Sequence, residues 1–511
     1  MFNRCFLFRR KILLKENIID RFNRNPLLFL LLIGLLIRII AALFSKGFLT
    51  LDDHFNFVVD ADMIARGFPL PHDYKDSPLY PYFGAMIMTI GRALGNSSPD
   101  IEMLTIRLVQ GMLSLFVIYF VYKILESKTD KNLASIGGLM ATTLFIIPIM
   151  AVHQFEEALC QIPLLASIWI LQKQEKQNLF NPASIIGSGM LMGIAMILRF
   201  PMISFVGIFA IGLLFQKSTR RYFFAFSIGI LLVASAQAVM NIFINGEFGY
   251  SFYGNFGWIF QNPDDLFHTS GYPAGPPWRY LLTLIAIFIP PFSILFLYST
   301  FRGGRTFSLI GISTLSFFIA HSIIANKQER FLLPIIPVLI ILGVAGLSKI
   351  KEWFIKKNLL KVYRGLWIYF WVLNSGLLAL TLFHYGKKDR IEPFVYIQSQ
   401  HNATGIIIVQ YDYEFLVPSY YLGNPTLPLF WFFERKNFNE EFQEVTVSKA
   451  TINYIVFYGD SIEQDRITFE KAFGKRLTLE KEISPSLGDW IAHYFNPKYN
   501  RIKTASVFSV R

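Results

Sequence analysis

Residues 26–44 read PLLFLLLIGLLIRIIAALF, nineteen residues interrupted by a single charge, Arg38. At 1.5 Å per residue such a helix is about 28 Å long, close to the roughly 30 Å hydrocarbon core of a bilayer. Comparable apolar blocks recur along the 511 residues, of which 53% are hydrophobic and only 16% charged. A soluble chain of this length would form two or three domains and carry about 25% charged residues to cover them. The charge here is too sparse for that, and mean hydropathy is positive. The 52 phenylalanines suit lipid-facing and interfacial positions. The chain is a polytopic membrane protein.

Outward from that first block, eleven spans are predicted near 26–44, 103–122, 133–151, 158–172, 183–198, 201–216, 222–244, 280–299, 306–325, 331–348 and 365–384. With the N-terminus inside, the cytoplasmic segments hold 23 Lys and Arg, whereas the longer opposite-side segments hold 8. That bias fixes the orientation. The formal charge of +13 therefore sets topology and does not mark a nucleic-acid face. Residues 1–25 are too polar and basic for a cleavable signal peptide and form a cytoplasmic segment. The moderately apolar stretch Leu79 to Leu94 falls in the large first outer loop, as an interfacial or re-entrant helix. Two cysteines, Cys5 and Cys160, offer no disulfide framework.

Beyond residue 385 the composition changes. GIIIVQY at 405–411 and NYIVFYG at 453–459 read as buried strands, and 462–474 as an amphipathic helix ended by Gly. The expected domains are thus a cytoplasmic segment 1–25, a transmembrane domain 26–384, and a small soluble α/β domain 385–511 on the non-cytoplasmic side.

Three outer stretches carry candidate chemistry. The first loop opens with Asp52, Asp53 and His54, followed by Asp60 and Asp62. Carboxylates beside apolar sequence gain basicity by desolvation, although a solvated acidic loop is the structural alternative. Asp52 and Asp53 could also ligate a divalent metal, but no zinc-type His spacing accompanies them, so no metal or other cofactor is assigned. The second stretch, HSIIANKQERFLLP, holds His321, Asn326, Lys327, Gln328, Glu329 and Arg330. Cations there run against the topological bias and suit a clamp for a lipid phosphate, the alternative being snorkelling helix-end anchors. Arg199, in an outer turn LRFP, can serve similarly. The third stretch, 245–279, is rich in Gly, Pro and aromatics, with Asp264, Asp265, His268 and Trp278, and suits either sugar stacking or an interfacial belt.

In combination these residues resemble the GT-C membrane glycosyltransferases, and within them the mannosyltransferase branch, glycosyltransferase family 22, that builds lipid-linked oligosaccharides and GPI anchors. The family's acidic pair after the first span matches Asp52-Asp53, and its Pro-Trp-x-x-Tyr-like segment corresponds to PPWRYLLT, with Pro277, Trp278 and Tyr280. Its His-Ser, His-Lys-Glu-x-Arg-Phe and Pro series matches His321-Ser322, Asn326 to Phe331, and Pro334. Asn326 replaces the family's His, Gln328 its Glu with Glu329 one place later, and the acidic pair ends in Asp. The resemblance covers residues 26–350; the tail has no counterpart in it.

The resemblance implies a GT-C fold and inverting transfer of a hexose, in this branch mannose, from a polyprenyl-phosphate donor to a glycan or glycolipid acceptor. It implies Asp52 as base with Asp53 beside it, Lys327, Arg330 and Arg199 at the donor phosphate, and His54, His321, Glu329 and Trp278 around the substrates. The acid and the basic turn would then share one pocket at the non-cytoplasmic surface. The rival readings are a GT-C transferase using another sugar on protein, lipid or envelope glycan, and a lipid or glycan transporter without covalent chemistry. Composition points to a bacterial inner membrane; in a eukaryote the endoplasmic reticulum would be the site.

Overall fold

The computed structural model describes residues 24–71, 74–96, 98–261, 275–324, 326–411, 413–459, 462–498 and 500–511, with side chains except at Asp52 and 256–261. The predicted cytoplasmic segment up to residue 23 lies outside this range. The chain is mostly helical and forms two compact units. Unit 1 comprises residues up to Ile39, Leu70–Tyr80 and Val109–Ala379, and unit 2 comprises Ile40–Pro69, Pro81–Leu108 and Leu380–Arg511.

A helix stands at each of the eleven predicted positions. Five are long and apolar enough to cross a membrane: Pro26–Phe44, Pro99–Lys128, Arg220–Asn245, Glu329–Lys356 and Leu360–Leu382. Two bent pairs, Lys131–Thr143 with Ile146–Val152 and Arg279–Ile287 with Phe292–Gly303, raise the number to seven. Pro182–Leu198, Phe200–Phe215 and Ser308–Ile323 are apolar but shorter, and Gln161–Lys176 occupies the remaining position. Glu329–Lys356 is the core of unit 1: nearly every side chain from Leu332 to Leu347 is buried, as its all-round apolar sequence requires. Pro26–Phe44 instead turns Leu28, Leu32 and Leu36 outward. Gly189 and Gly229 let the helices carrying them touch backbone to backbone; a Cβ at either would meet a carbonyl of the other helix.

Two polar side chains inside unit 1 are matched to backbone. Arg38, buried, donates to Ser114 Oγ at 3.1 Å and to the carbonyls of Thr142 at 2.7 Å and Ala141 at 3.2 Å. It holds helices together, and no ion pathway is needed to explain it. The 54° bend between Lys131–Thr143 and Ile146–Val152 frees backbone groups that hydrocarbon cannot solvate. Asn374 supplies the partners: its Nδ2 donates to Thr143 O at 2.8 Å and its Oδ1 accepts from Phe145 N at 3.0 Å. Asn374→Leu is expected to cost about 1–3 kcal/mol for each group left unpaired. Thermal denaturation in detergent checks this, and an unchanged midpoint would show that the bend needs no such support.

Segments predicted for the two sides gather at separate cavities of unit 1. Lys128, Glu175 and Lys217–Thr219, from three predicted cytoplasmic segments, line one cavity of about 470 Å³ with Phe307 and Ser308. All five predicted outer segments contribute to a different cavity, through Lys75–Ser77, Glu156, Arg199–Phe200, Ser251 with Asn255, and Asn326.

Unit 2 joins most of the first loop to the tail. β1 (Lys46–Gly47) pairs in parallel with β2 (Tyr385–Gly386). The tail's five strands are β3 (Ile406–Val409), β4 (Leu429–Phe432), β5 (Tyr454–Tyr458), β6 (Leu477–Ile483) and β7 (Ala505–Val510). They form one sheet in the order β4-β3-β5-β7-β6, with β3, β4 and β5 parallel. The two predicted strands are β3 and β5, and the predicted helix spans Glu463–Phe473, ended by Gly474 at φ +60. Ile407, Val409, Phe432, Ile455, Phe457, Phe469 and Phe508 form the core. Tyr420 OH donates to Glu102 at 2.8 Å, so tail and first loop share one side of the membrane. Leu79–Ala93 is too short to span and leaves Tyr82, Met86, Ile90 and Leu94, spaced by four, exposed along one stripe.

Candidate active site

The unit 1 cavity lined by the predicted outer segments holds about 160 Å³. One wall is the segment Tyr74–Ser77, held by its backbone. Asn245 Nδ2 donates to Tyr74 O at 3.1 Å, Asn255 Nδ2 to Lys75 O at 3.1 Å, and Ser251 Oγ to Asp76 O at 3.3 Å. Ser77 Oγ donates to Gln237 Oε1 at 3.2 Å. The side chains of Lys75 and Asp76 are thereby set against the cavity, which Glu156, Arg199, His321, Asn326 and Phe331 also line.

Arg199 follows the helix Pro182–Leu198, which Pro201 prevents from continuing. Its guanidinium lies 3.6 Å from Glu156 and 3.4 Å from Glu157, and 4.6 Å from the centre of the Phe331 ring. Arg330 reaches the same Glu157 oxygen at 3.7 Å. The buried Glu157 carboxylate accepts no hydrogen bond among the described residues, so charge alone couples it to both arginines. Nor does the Arg199 guanidinium donate one among them. Its N–H groups remain available to an incoming anion of fork geometry.

Burial, reinforced by Asp76, holds the pKa of Glu156 well above the ordinary carboxylate range despite Arg199. The acid keeps its proton more readily folded than unfolded, so its contribution to stability falls as pH rises above the ordinary carboxylate pKa. Glu156→Gln, which resembles the protonated acid, is expected to flatten that fall. Unfolding midpoints compared at pH 5 and pH 8 test it; an identical slope in both proteins would remove Glu156 as the cause.

The basic turn divides its labour. Lys327 is buried, and its Nζ donates to the carbonyls of His321 and Ser322, both at 3.0 Å, and of Ile324. All three ammonium hydrogens cap the end of Ser308–Ile323, leaving none for a phosphate in this conformation. In this conformation Lys327 holds the turn, where a phosphate clamp was expected. Burial, with Arg279 nearby, lowers the Lys327 pKa to about 8. Arg330 donates from Nε to Gln328 Oε1 at 2.9 Å. Glu329 is exposed and pairs with Arg279 at 2.9 Å. Trp278 is also exposed and does not line the cavity, whereas Tyr280 is buried beneath Lys327 Nζ, 5.0 Å from the ring centre. His321 does line it, with Nδ1 2.9 Å from Phe317 O. Asp264, Asp265 and His268 lie outside the described residues.

In unit 2, Asp52 and Asp53 begin a helical segment that runs through a π-helical turn to Ala65. Asp53 is buried and accepts from Leu49 N at 2.9 Å and Thr50 N at 3.1 Å. It fixes the chain entering the helix. The Asp52 side chain is outside those described. His54 is enclosed between the rings of Phe48 and Tyr421, with centroids at 5.1 and 5.4 Å, and burial pushes its pKa down to about 3. It packs as a neutral aromatic, where a substrate contact was expected. Asp62 binds Arg66 and Arg92, and Arg92 binds Glu102, a staple among three helices. No cluster of three or more His, Cys, Asp or Glu arranged to hold a metal occurs among the described residues.

Sequence inspection missed Glu156, Glu157, Lys75 and Asp76. Their signals were an acidic pair in the predicted outer segment 152–157, which has no Lys or Arg, and a lysine beside an acid in the first loop.

Comparison with known proteins follows the same lines. The model of the Alg9-like mannosyltransferase family matches residues 28–404. The chain belongs to this family. No curated protein matches it. Among solved structures, ArnT from Cupriavidus metallidurans bound to undecaprenyl phosphate superposes with a TM-score of 0.59 at 12% identity, covering 94% of this chain and 97% of that one. The oligosaccharyltransferase AglB from Archaeoglobus fulgidus, in complex with an inhibitory peptide and a dolichol-phosphate, gives 0.52 at 11%, covering 88% and 71%. At these identities the likeness is one of fold. The Alg9-like chain is a GT-C membrane glycosyltransferase.

Proposed function

We propose that this Alg9-like chain transfers mannose from a polyprenyl-phosphate carrier to a glycan or glycolipid acceptor, with inversion, on the non-cytoplasmic side. The observation that carries this is the meeting of all five outer segments at one cavity where Arg199 keeps its hydrogen-bond donors unspent. Family membership supports the sugar, and the lipid phosphates bound to the two structural neighbours support the donor class.

In the proposed reaction the acceptor hydroxyl forms a bond to the anomeric carbon as the bond from that carbon to the phosphate oxygen breaks. A carboxylate takes the hydroxyl proton, and cations meet the charge on the departing phosphate. The acidic-pair motif assigns the base to Asp52, because Asp53 is committed to the Leu49 and Thr50 amides. Arg199 and Lys75 line the cavity and Arg330 shares Glu157 with Arg199, so these three are assigned to the phosphate. Lys327 shapes the turn that presents Asn326 and Arg330.

The test is incubation of purified protein with radiolabelled polyprenyl-phosphate mannose and a panel of glycolipid acceptors. Labelled product is expected. Transfer solely from another polyprenyl-phosphate sugar would replace mannose, and transfer from a nucleotide sugar alone would end the lipid-donor reading.

A further inference from the structure

The helix Leu487–Phe495 in the tail has two unlike faces. Inward, Ser486 caps it by accepting from Asp489 N at 3.1 Å, and the buried Asp489 carboxylate accepts from Lys387 N at 3.0 Å and Lys388 N at 3.3 Å. Gly488 packs against the His384 ring. Outward, Leu487 is 68% exposed, Trp490 55%, Tyr494 82% and Phe495 80%. The spacing i, i+3, i+7, i+8 puts all four on one stripe.

The inner contacts fix the level of this stripe. Residues 384–388 follow directly on Leu360–Leu382, one of the helices long enough to span. β2 pairs with β1, which begins two residues after the first span ends at Phe44. The rings of Phe44 and Phe383 lie 5.2 Å apart, so two spans leave the membrane side by side where the helix is anchored. Nine residues make a rod about 13 Å long. Every part of the stripe is within that distance of the anchor, and Trp and Tyr are the side chains favoured at the boundary of headgroups and acyl chains.

We propose that Leu487–Phe495 lies in the bilayer interface, its stripe among the headgroups and upper acyl chains, and seats the α/β tail on the membrane. The occupant of this face is lipid. The proposal rests on the spans and stands whether or not the sugar-transfer assignment does.

The experiment uses the full chain with Cys5 and Cys160 replaced by Ala, in nanodiscs of phosphatidylcholine and phosphatidylglycerol. Single cysteines at Tyr494→Cys, Leu487→Cys and Val447→Cys carry a nitroxide; Val447, 71% exposed on the helix Phe438–Ser448, is the aqueous reference. The ratio of collisions with oxygen to collisions with a water-soluble nickel chelate is expected to be at least about threefold higher at 494 and 487 than at 447, as interfacial depth requires. Ratios equal to that at 447 would overturn the proposal. So would protection from both reagents, with dipolar broadening pointing to a second copy of the chain and without it to coverage by this chain itself.

Discussion

Asp52→Asn is expected to lower transfer by about 10³-fold or more while the protein remains folded and inserted. General-base catalysis alone contributes roughly 10²–10⁴ in rate, and an amide cannot take the acceptor's proton. Asp53→Asn provides the contrast. Its carboxylate holds Leu49 N and Thr50 N, and an amide keeps only one of those acceptor oxygens. That variant should lose about 1–3 kcal/mol of stability and show a secondary fall in activity. Turnover, substrate KM and unfolding midpoint measured on both variants separate base from scaffold. Normal turnover in Asp52→Asn removes the assignment, and an unaltered midpoint in Asp53→Asn removes the scaffold role.

The second large effect is at Glu157. This buried carboxylate lies between Arg199 at 3.4 Å and Arg330 at 3.7 Å. Removing one partner from a buried ion pair costs about 3–5 kcal/mol, because charge is left without compensation. Glu157→Ala is therefore expected to reduce the folded yield sharply. Arg330→Ala in the same chain should return part of the loss, because one of the two cations that Glu157 offsets goes with it; the cycle of single and double variants gives the coupling. Additive losses would show that the three groups act separately. Glu157→Gln keeps the volume while removing the charge, and should fold well enough to show a raised donor KM.

The membrane architecture was legible because it rests on local quantities. Apolar runs located a helix at each of the eleven expected positions, and the short strands at 405–411 and 453–459 announced the α/β tail. The site was only partly legible. Arg199 and His321 stood out from the turns that carry them, and both line the cavity. Glu157 did not, because an acid beside a span gains meaning only when folding brings two arginines to it from 42 and 173 positions along the chain. Lys327 and His54 illustrate the converse. A motif fixes residue type and order but not what a side chain's donors meet, and here helix-end carbonyls and aromatic rings meet them.

The pairing of Lys46 with Tyr385 and of Gly47 with Gly386 also sets a timetable for biogenesis. At the usual 5–20 residues per second, the roughly 320 residues from the end of the first loop to Tyr421 take about 16–64 s to synthesise. Throughout that interval the loop stands without the strand and tyrosines that complete it. A ribosome stalled or a chain cut before residue 385 would leave the loop permanently without partners, so nascent chains of that length should be the ones that quality-control proteases and chaperones retain.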